Sequence, residues 1–409
     1  MIIRLAWRSI WRHKRRTIIT VISIAFGLAL AVFLIAWGNG IYSQMTDDAV
    51  RMQAGHITLE HVDYRTAPSV DLYINRLTGL RVGIEALPEV EETKLLILGQ
   101  GVAKSGAGSV GVSVIGVAPS SEAKTSPLAR RIISGKYLEK TDGSMVIVGS
   151  KLARRLNLKT GKKLVITAND ASGELVEELC RVKGIFEVGA EEVDGFLVQA
   201  PLNFIRRLYR MPSESATQLG VILRNPDDQE IVLGKIHLML SNRPINAYPW
   251  QEIIPDLAAY IKLDRGSNLI FQGILLFLIL FTIFNTVLMS VIERQHEFAV
   301  LSAIGAVSFQ IKLQLFWEAA FIGLIGCFCG LLIGGTAAYA MQVYGLDLSG
   351  LYKEGLTVSG FAINTRMYAR LTPSLLIWSG GIVAGATVLL SLIPMRRIDR
   401  ISIVDTLRG

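Results

Sequence analysis

The uncharged run TIITVISIAFGLALAVFLIAW, residues 17–37, decides the fold class of this chain. It is long enough to supply the ~20 apolar residues that a helix needs to cross a bilayer. A cleaved signal peptide is the alternative, because a basic flank precedes the run and the triplet Ala29-Leu30-Ala31 has the small residues of a cleavage site. That triplet lies inside the run, however, and the run is too long for the apolar region of a signal peptide. We therefore predict a retained transmembrane helix at 17–40.

Three further apolar runs predict transmembrane helices at 268–292, 316–343 and 374–394. The composition agrees, because 51% of the residues are hydrophobic and only 19% are charged, whereas a soluble domain carries about 25% charged residues. Glu318, in the third span, is the main ionisable residue in the spans, and we interpret it as an interfacial cap or a contact to a cytoplasmic partner. Spans so poor in charge argue against an ion or proton pathway.

Basic residues cluster beside the first and last spans, and such a bias retains the flanks in the cytoplasm. The basic residues that precede the first span are Arg4, Arg8, Arg12, Lys14, Arg15 and Arg16, and those that follow the last are Arg396, Arg397, Arg400 and Arg408. Both termini, the loop 293–315 and the tail 395–409 are then cytoplasmic, and 41–267 and 344–373 are extracytoplasmic. Because the net charge of +8 is concentrated at these flanks, we do not predict nucleic-acid binding.

Residues 1–16 have the pattern of an amphipathic helix that lies in the membrane surface. Ile3, Trp7, Ile10 and Trp11 fall on one arc of a helix, and the arginines at positions 4, 8 and 12 repeat on the adjacent arc. A basic flank that only sets the orientation is the alternative, and both readings are compatible with the same residues.

The segment 41–267 reads as a mixed α+β extracytoplasmic domain. A β-α-β-β unit begins it, and a strand, a helix and a final strand end it. The predicted strands are His56–Val62, Val90–Val102, Ser109–Val117, Met145–Val148, Lys163–Ala168, Glu174–Phe186, Phe196–Gln199, Gln218–Leu223 and Ile245–Trp250, and the predicted helices are Asp71–Leu87, Ser150–Leu156 and Asp227–Leu240. The middle part, 119–215, is β-rich and is predicted to interrupt the outer α/β unit as an insertion.

Glycines in the last two spans have the spacing that allows helix backbones to approach closely. They are Gly326, Gly330 and Gly334 in the third span, and Gly381 and Gly385 in the fourth. Packing within the chain and a subunit interface both use this spacing, so the sequence leaves these two interpretations open.

No motif of catalysis or nucleotide binding is present: the sequence has no GxxxxGK[ST], HExxH, GxSxG or dinucleotide fingerprint. We therefore predict no catalytic residue, no bound cofactor and no ATP hydrolysis by this chain. His56, Glu60, His61 and Asp63 form a His/carboxylate cluster, but on a strand His61 points away from His56 and Glu60, so no metal site is predicted. The acidic run of residues 191, 192 and 194 is predicted to be a solvated turn.

The loop ERQHEFAVLSAIGA, residues 293–306, predicts a short helix between the second and third spans. Phe298, Leu301 and Ile304 follow helical spacing on a segment too short to cross the membrane. Glu293, Arg294 and Glu297 stand at its start, and Gly305 stands where it should end. The apolar stripe is expected to bury either against a soluble partner or against the lipid surface.

This loop resembles the ER-x-x-E-[IF]-[AG]-[IV]-x-x-A-[IL]-GA stretch of the MacB/FtsX/LolC-LolE permease superfamily, the type VII ABC transporters. The matching residues are Glu293, Arg294, Glu297, Phe298, Ala299, Val300, Ala303, Ile304, Gly305 and Ala306. The Arg15-Arg16-Thr17 junction and the tail from Pro394 to Arg408 are also similar to the family, and so is an extracytoplasmic insert after the first span.

The resemblance implies a 1+3 arrangement of four transmembrane helices with a MacB-like porter subdomain that a β-rich subdomain interrupts. It implies an inner-membrane dimer, with itself or with a paralogue, bound to ATP-binding cassette subunits that use ATP and Mg²⁺. The helix at 293–306 would be the coupling element, and ATP-driven motion would reshape the outer domain. In layout the chain is most similar to LolC/LolE-like permeases, which implies lipoprotein cargo and a periplasmic carrier; drug or peptide efflux and FtsX-like regulation of a cell-wall enzyme are the alternatives.

Overall fold

The structure is a computed structural model that describes residues 2–12, 14–53, 55–240, 243–303, 305, 307–347, 356–358, 361–363 and 366–395. The helices are α1 Ile2–Arg12, α2 Lys14–Met52, α3 Leu77–Glu85, α4 Pro119–Thr125, α5 Ser150–Arg155, α6 Glu191–Phe196, α7 Leu202–Leu208, α8 Gln229–Met239, α9 Trp250–Ile253, α10 Pro255–Glu293, α11 Gln295–Ala303, α12 Ser308–Tyr344 and α13 Pro373–Met395. The strands are β1 Ile57–His61, β2 Val90–Ser105, β3 Gly108–Val117, β4 Ile132–Gly135, β5 Met145–Gly149, β6 Lys163–Asn169, β7 Leu175–Phe186, β8 Leu197–Pro201, β9 Gln218–Leu223, β10 Ile245–Pro249, β11 Leu346–Asp347, β12 Leu356–Val358, β13 Phe361–Ile363 and β14 Arg366–Met367.

The chain divides into two compact units. The membrane unit comprises Met1–Ser43, Lys262–Leu348 and Arg366–Gly409, and the outer unit comprises Gln44–Ile261 and Ser349–Thr365. The basic tail residues named above, from Arg396 onward, lie outside the described residues.

Four helices among the described residues are long and apolar enough to cross a membrane, namely α2, α10, α12 and α13. This confirms the four predicted spans. The helix that contains the span predicted at 17–40 runs on to Met52, because residues 38–52 include no proline that would interrupt its hydrogen bonds. Likewise α10 begins at Pro255, well before the span predicted from 268. Each of these two helices has 39 residues, so each is about 58 Å long and exceeds the bilayer core of about 30 Å.

Close packing of α12 against α2 uses the three glycines of the third span. A Cβ at Gly330 would lie 2.9 Å from the Ala25 carbonyl oxygen, and one at Gly334 would lie 2.7 Å from the Ala29 Cα. A Cβ at Gly326 would lie 2.8 Å from the Ile24 side chain. For these glycines the structure therefore supports packing within the chain, where a missing side chain lets the backbones meet.

Gly381 and Gly385 behave differently, because a Cβ at either position would meet nothing within 4 Å among the described residues. Both are exposed on α13, so the described residues give no support at these two positions to packing within the chain, one of the two interpretations that the sequence leaves open. The contact of α13 with α12 uses Gly380 instead, where a Cβ would lie 2.8 Å from Leu331, and Thr387, which lies 2.7 Å from a Cβ at Gly323. A subunit interface at Gly381 and Gly385 stays a prediction.

Ten strands of the outer unit form one sheet, in which neighbours follow the order β10-β1-β9-β2-β3-β8-β5-β7-β4, and β6 pairs with both β2 and β7. These pairings close a ring of six strands, β2-β3-β8-β5-β7-β6. Three strands outside the ring, β9, β1 and β10, extend the sheet from the other edge of β2 and form the strands of the α/β part. Strand β2 therefore belongs to both subdomains, and the β-rich insertion shares a sheet with the unit that it interrupts.

The predicted strands are confirmed to within a few residues, but short helices are missed. The helix predicted at Asp71–Leu87 is shorter, beginning at Leu77 as α3. The reason is tertiary: the backbone of Ile74 pairs with Ala216, at 2.8 Å from N–H to carbonyl, which holds this segment extended. Arg76 then turns the chain at φ 52°. Helices α4, α6 and α7 have seven residues or fewer and give little periodic signal.

Candidate coupling site

The predicted short helix between the second and third spans is present as α11, Gln295–Ala303. It is separated from α10 by one residue, Arg294, and from α12 by the turn that contains Gly305. Gly305 has φ 97°, a conformation that favours glycine and ends helices. Ile304 and the side chain of Leu301 lie outside the described residues.

Arg294 joins three helices at this break. Its Nη1 donates to both carboxylate oxygens of Glu318 on α12, at 3.0 and 2.9 Å, and to the hydroxyl of Ser9 on α1 at 3.0 Å. Its Nε donates to Glu297 on α11 at 3.0 Å. Gln314 adds a further hydrogen bond to Glu318 at 3.1 Å.

Both partners of this bridge are buried, with side chains 9% and 8% exposed for Arg294 and Glu318. A buried charge needs its partner, so removal of one member typically costs 3–5 kcal/mol, on the order of half the stability of a domain. Glu318 is therefore an internal ion-pair partner, and its predicted role as a cap or a contact to a cytoplasmic protein is wrong. Arg294 is likewise turned into the chain, and the role of the helix at 293–306 as the coupling element stays a prediction.

Two more exposed ion pairs link the first helices to this segment. Arg16 bonds Glu293 at 2.8 Å and Ser290 at 2.9 Å, and Arg12 lies 3.5 Å from Glu297. Such solvent-exposed pairs contribute about 0–1 kcal/mol each. The buried Arg294–Glu318 pair is therefore the contact that fixes the start of α11.

Phe298 is also turned inward. It is 1% exposed and packs with Val291, Ile311, Leu315 and Met395, and the Arg294 guanidinium lies 5.1 Å from its ring centre. The prediction that Phe298 faces a partner or lipid is therefore wrong for this structure. A partner contact through other residues of the segment remains a prediction.

Among the described side chains of residues 295–309, the large apolar ones that are exposed are Val300, Val307 and Phe309, at 42%, 62% and 69%. Sequence reasoning placed Val307 and Phe309 in the cytoplasmic loop 293–315 but did not single them out, because it ended the coupling helix at Gly305 and gave the loop residues after it no role. The signal was present: apolar residues at 307 and 309 precede the span and are followed by Gln310 and Lys312.

The His/carboxylate cluster of the outer unit does not converge. Within the described part of the chain, no group of three His, Cys, Asp or Glu side chains has the arrangement of a metal site. His56 accepts the Leu223 N–H at 3.2 Å, and burial lowers the pKa of His56 to about 4. Glu60 accepts a hydrogen bond from Gln218 at 3.0 Å, and burial raises the pKa of Glu60.

The acidic run lies on α6 and is not a loop. Asp194 is 1% exposed and accepts the backbone N–H groups of Val188 and Gly189 at 2.8 and 2.9 Å. The predicted solvated turn is therefore wrong for Asp194, which closes the preceding loop through these two hydrogen bonds. Burial raises the pKa of Asp194.

Comparison with known proteins matches two family models to this chain. Residues 17–237 match the MacB-like periplasmic core domain, and residues 269–403 match the FtsX-like permease C-terminal domain. Among curated relatives, the lipoprotein-releasing system transmembrane protein LolC of Neisseria meningitidis serogroup B is 24% identical over 334 residues, 78% of this chain and 77% of LolC.

The macrolide export ATP-binding/permease protein MacB of Escherichia coli is 22% identical over 341 residues, which are 81% of this chain and 51% of MacB. Among solved structures, the periplasmic region of MacB from Actinobacillus actinomycetemcomitans aligns with 51% of this chain and 95% of its own, at 11% identity and a TM-score of 0.36.

The first family model covers more than half of the chain, and the second covers three of the four candidate spans. The chain therefore belongs to the MacB/FtsX/LolC-LolE superfamily of membrane-embedded ABC transporter permeases.

Proposed function

We propose that this chain transmits the motion of a separate ATP-binding cassette subunit, which binds ATP and Mg²⁺, to the outer unit. The observation that carries the proposal is the buried bridge between Arg294 and Glu318. Because Arg294 also bonds Glu297 and Ser9, a displacement of α11 acts on α12 and α1 together. No nucleotide-binding or catalytic residue is assigned to this chain.

The two 39-residue helices support a lever mechanism. Each of α2 and α10 contributes residues to both the membrane unit and the outer unit. A helix is stiff along its axis, so one that contributes to both units carries axial motion better than a flexible loop. The low charge of the spans agrees with a lever and disfavours a polar conduit.

For the cargo we propose lipoproteins or other lipid-linked molecules that are released from the inner membrane, with both termini of the chain in the cytoplasm. The similarity to LolC over 78% of the chain supports this cargo class. A second permease copy, identical or paralogous, is proposed to cover the open glycine face of Gly381 and Gly385. A periplasmic carrier would receive the cargo.

Depletion of this chain tests the cargo. We expect lipoproteins destined for the outer membrane to accumulate in the inner-membrane fraction, as measured by density-gradient fractionation and mass spectrometry. Re-expression of the unaltered chain should reverse the accumulation. An unchanged lipoprotein distribution after full depletion would falsify lipoprotein release.

The exposed apolar set Val300, Val307 and Phe309 is the surface that we propose to contact the ATPase. The double variant Val307→Asp with Phe309→Asp should abolish copurification of the ATPase, because it places two charges in an apolar contact. The control is Val82→Asp with Ile231→Asp, which alters side chains that are 62% and 59% exposed in the outer unit. Retention of the ATPase by the first variant would show that the surface is assigned wrongly.

Efflux of small molecules is the second candidate, and the similarity to MacB over 81% of the chain favours it. A depleted strain should then accumulate a macrolide while its lipoproteins fractionate normally. FtsX-like regulation of a cell-wall enzyme is the alternative if neither the macrolide nor the lipoproteins change while cell-wall hydrolysis falls.

A further inference from the structure

A cavity of about 720 Å³ lies in the membrane unit where α2 begins and α10 ends. Four basic residues line it, namely Arg12, Lys14, Arg15 and Arg16, against a single acidic residue, Glu293. An excess of three positive charges around one cavity attracts an anion.

The charges of the cavity are only partly neutralised by the protein. Arg16 bonds Glu293 at 2.8 Å, but its Nε is buried and has no hydrogen-bond acceptor in the described part of the chain. Lys14 and Arg15 are exposed, and neither forms an ion pair with any described residue. The cavity therefore holds donors that a negatively charged group would satisfy.

The remaining walls of the cavity are apolar or weakly polar. Ile19 on α2 and Met289 on α10 line it together with Thr20 and Thr286, whose hydroxyl oxygens are 3.1 Å apart. Ile19 is 64% exposed and Met289 is 47% exposed. A small hydrated anion gains nothing from such walls, whereas an amphiphile with an anionic head and an apolar tail matches both surfaces.

The order of charged and apolar residues along α2 also fits an amphiphilic ligand. The cations end at Arg16, and the uncharged run begins at the next residue, Thr17. Beyond it, Ile22 and Phe26 continue an exposed apolar surface on α2, at 60% and 69%. The polar and apolar parts of the site therefore follow one another in the order of a phospholipid head and its acyl chain.

We propose that this cavity binds the headgroup of an anionic phospholipid, with its phosphate at Lys14 and Arg15, next to Arg16, and its acyl chain along Ile19 and Met289. The inference does not depend on the cargo or on the coupling mechanism proposed above. It does give the bound lipid a contact with the coupling segment, because Arg16 also bonds Glu293.

The test uses the full-length chain, purified in mild detergent and supplied with phosphatidylglycerol or with phosphatidylcholine of the same acyl chains. Native mass spectrometry measures the bound lipid. We expect selective retention of phosphatidylglycerol, and a loss of affinity on the order of tenfold in Lys14→Gln with Arg15→Gln. The control variant Arg4→Gln with Arg8→Gln removes the same charge from exposed residues of α1 outside the cavity and should retain the lipid.

A second variant tests the cavity itself. Met289→Trp fills part of the cavity without a change of charge and should also reduce phosphatidylglycerol binding. Circular dichroism and gel filtration check that the variant keeps its fold. An excess of inorganic phosphate should leave the lipid bound.

Four results would overturn the proposal. Equal lipid loss in both charge variants would show general surface attraction, and equal binding of the two lipids would show no preference for an anionic headgroup. Displacement of the lipid by inorganic phosphate would show a free-anion site. A dimer that carries no bound lipid in the unaltered chain, and that dissociates in Lys14→Gln with Arg15→Gln, would show that these residues contact a second copy of the chain.

Discussion

Arg294 Nη1 lies 3.0 and 2.9 Å from the two carboxylate oxygens of Glu318. Arg294 stands immediately before α11, and Glu318 lies within α12, 24 positions further along the chain. The pair forms because the chain reverses between α10 and α12 and returns Glu318 to the level of the helix break. Its burial makes it the structural link between the family motif of the loop and the third span.

Replacement of one member of this pair should destabilise the membrane unit strongly. For Arg294→Met or Glu318→Met we expect a loss of about 3–5 kcal/mol, because the remaining charge stays buried without its partner. The double variant should recover much of the loss, since it removes both charges. Thermal unfolding of the purified chain in detergent measures the effect, and single variants as stable as the double one would contradict it.

The glycines of the third and fourth spans should respond in opposite ways to a larger side chain. Gly330→Leu should lower the unfolding temperature, because its Cβ would lie 2.9 Å from the Ala25 carbonyl oxygen, and overpacking of this kind typically costs 1–3 kcal/mol. Gly385→Leu should leave the unfolding temperature of the isolated chain unchanged, since its Cβ meets open space.

The same pair of variants tests the subunit interface. If the face of Gly385 contacts a second permease, Gly385→Leu should weaken the dimer in light-scattering measurements without unfolding the chain. A dimer that tolerates this variant would argue that the open face contacts lipid.

A buried ion pair in the outer unit should matter far more than an exposed one. Lys94 lies 2.8 Å from Glu122, with both side chains at most 3% exposed, and donates to the Arg51 carbonyl oxygen at 2.6 Å. Lys94→Met should cost about 3–5 kcal/mol.

The matched comparison is Lys104→Met, which removes a cation 2.9 Å from Glu177 in a pair that is 46% and 53% exposed. Its cost should stay below about 1 kcal/mol. Chemical denaturation followed by far-ultraviolet circular dichroism measures both, and equal costs would rule out the importance of burial.

His56 should make the outer unit less stable in acid. Burial lowers the pKa of His56 from its ordinary value of about 6.5 to about 4, so between these two pH values the folded chain keeps His56 neutral while the unfolded chain binds a proton. The contribution of His56 to the free energy of unfolding is fully present above about pH 6.5. It is lost as the pH falls toward 4, which lowers the free energy of unfolding by up to about 3 kcal/mol.

His56→Gln keeps an acceptor for the Leu223 N–H but does not titrate. The difference in unfolding temperature between this variant and the unaltered chain should therefore change between pH 7 and 4.5, in favour of the variant. A constant difference across that range would exclude the titration of His56 as the cause.

Much of the architecture follows from local sequence patterns. The four apolar runs predicted the spans, and the alternation of apolar residues predicted strands such as β2, β3 and β7 within a few residues. Periodicity reports each element separately, so it did not reveal that β2 belongs to two subdomains, nor that Ile74 pairs with Ala216 and delays α3. Those features depend on residues that are far apart in the sequence.

In the coupling segment, too, some features follow from the local sequence and others depend on the tertiary structure. The sequence by itself determined a short helix with an Arg-containing start and a glycine end, because helix length, spacing and caps are local properties. Only the tertiary structure decided that Arg294 and Phe298 point into the chain and that Gly381 and Gly385 pack against none of its described residues. A side chain's environment depends on which helices surround it, so the three-dimensional arrangement of α1, α11, α12 and α13 decides which residues are buried and which face outward.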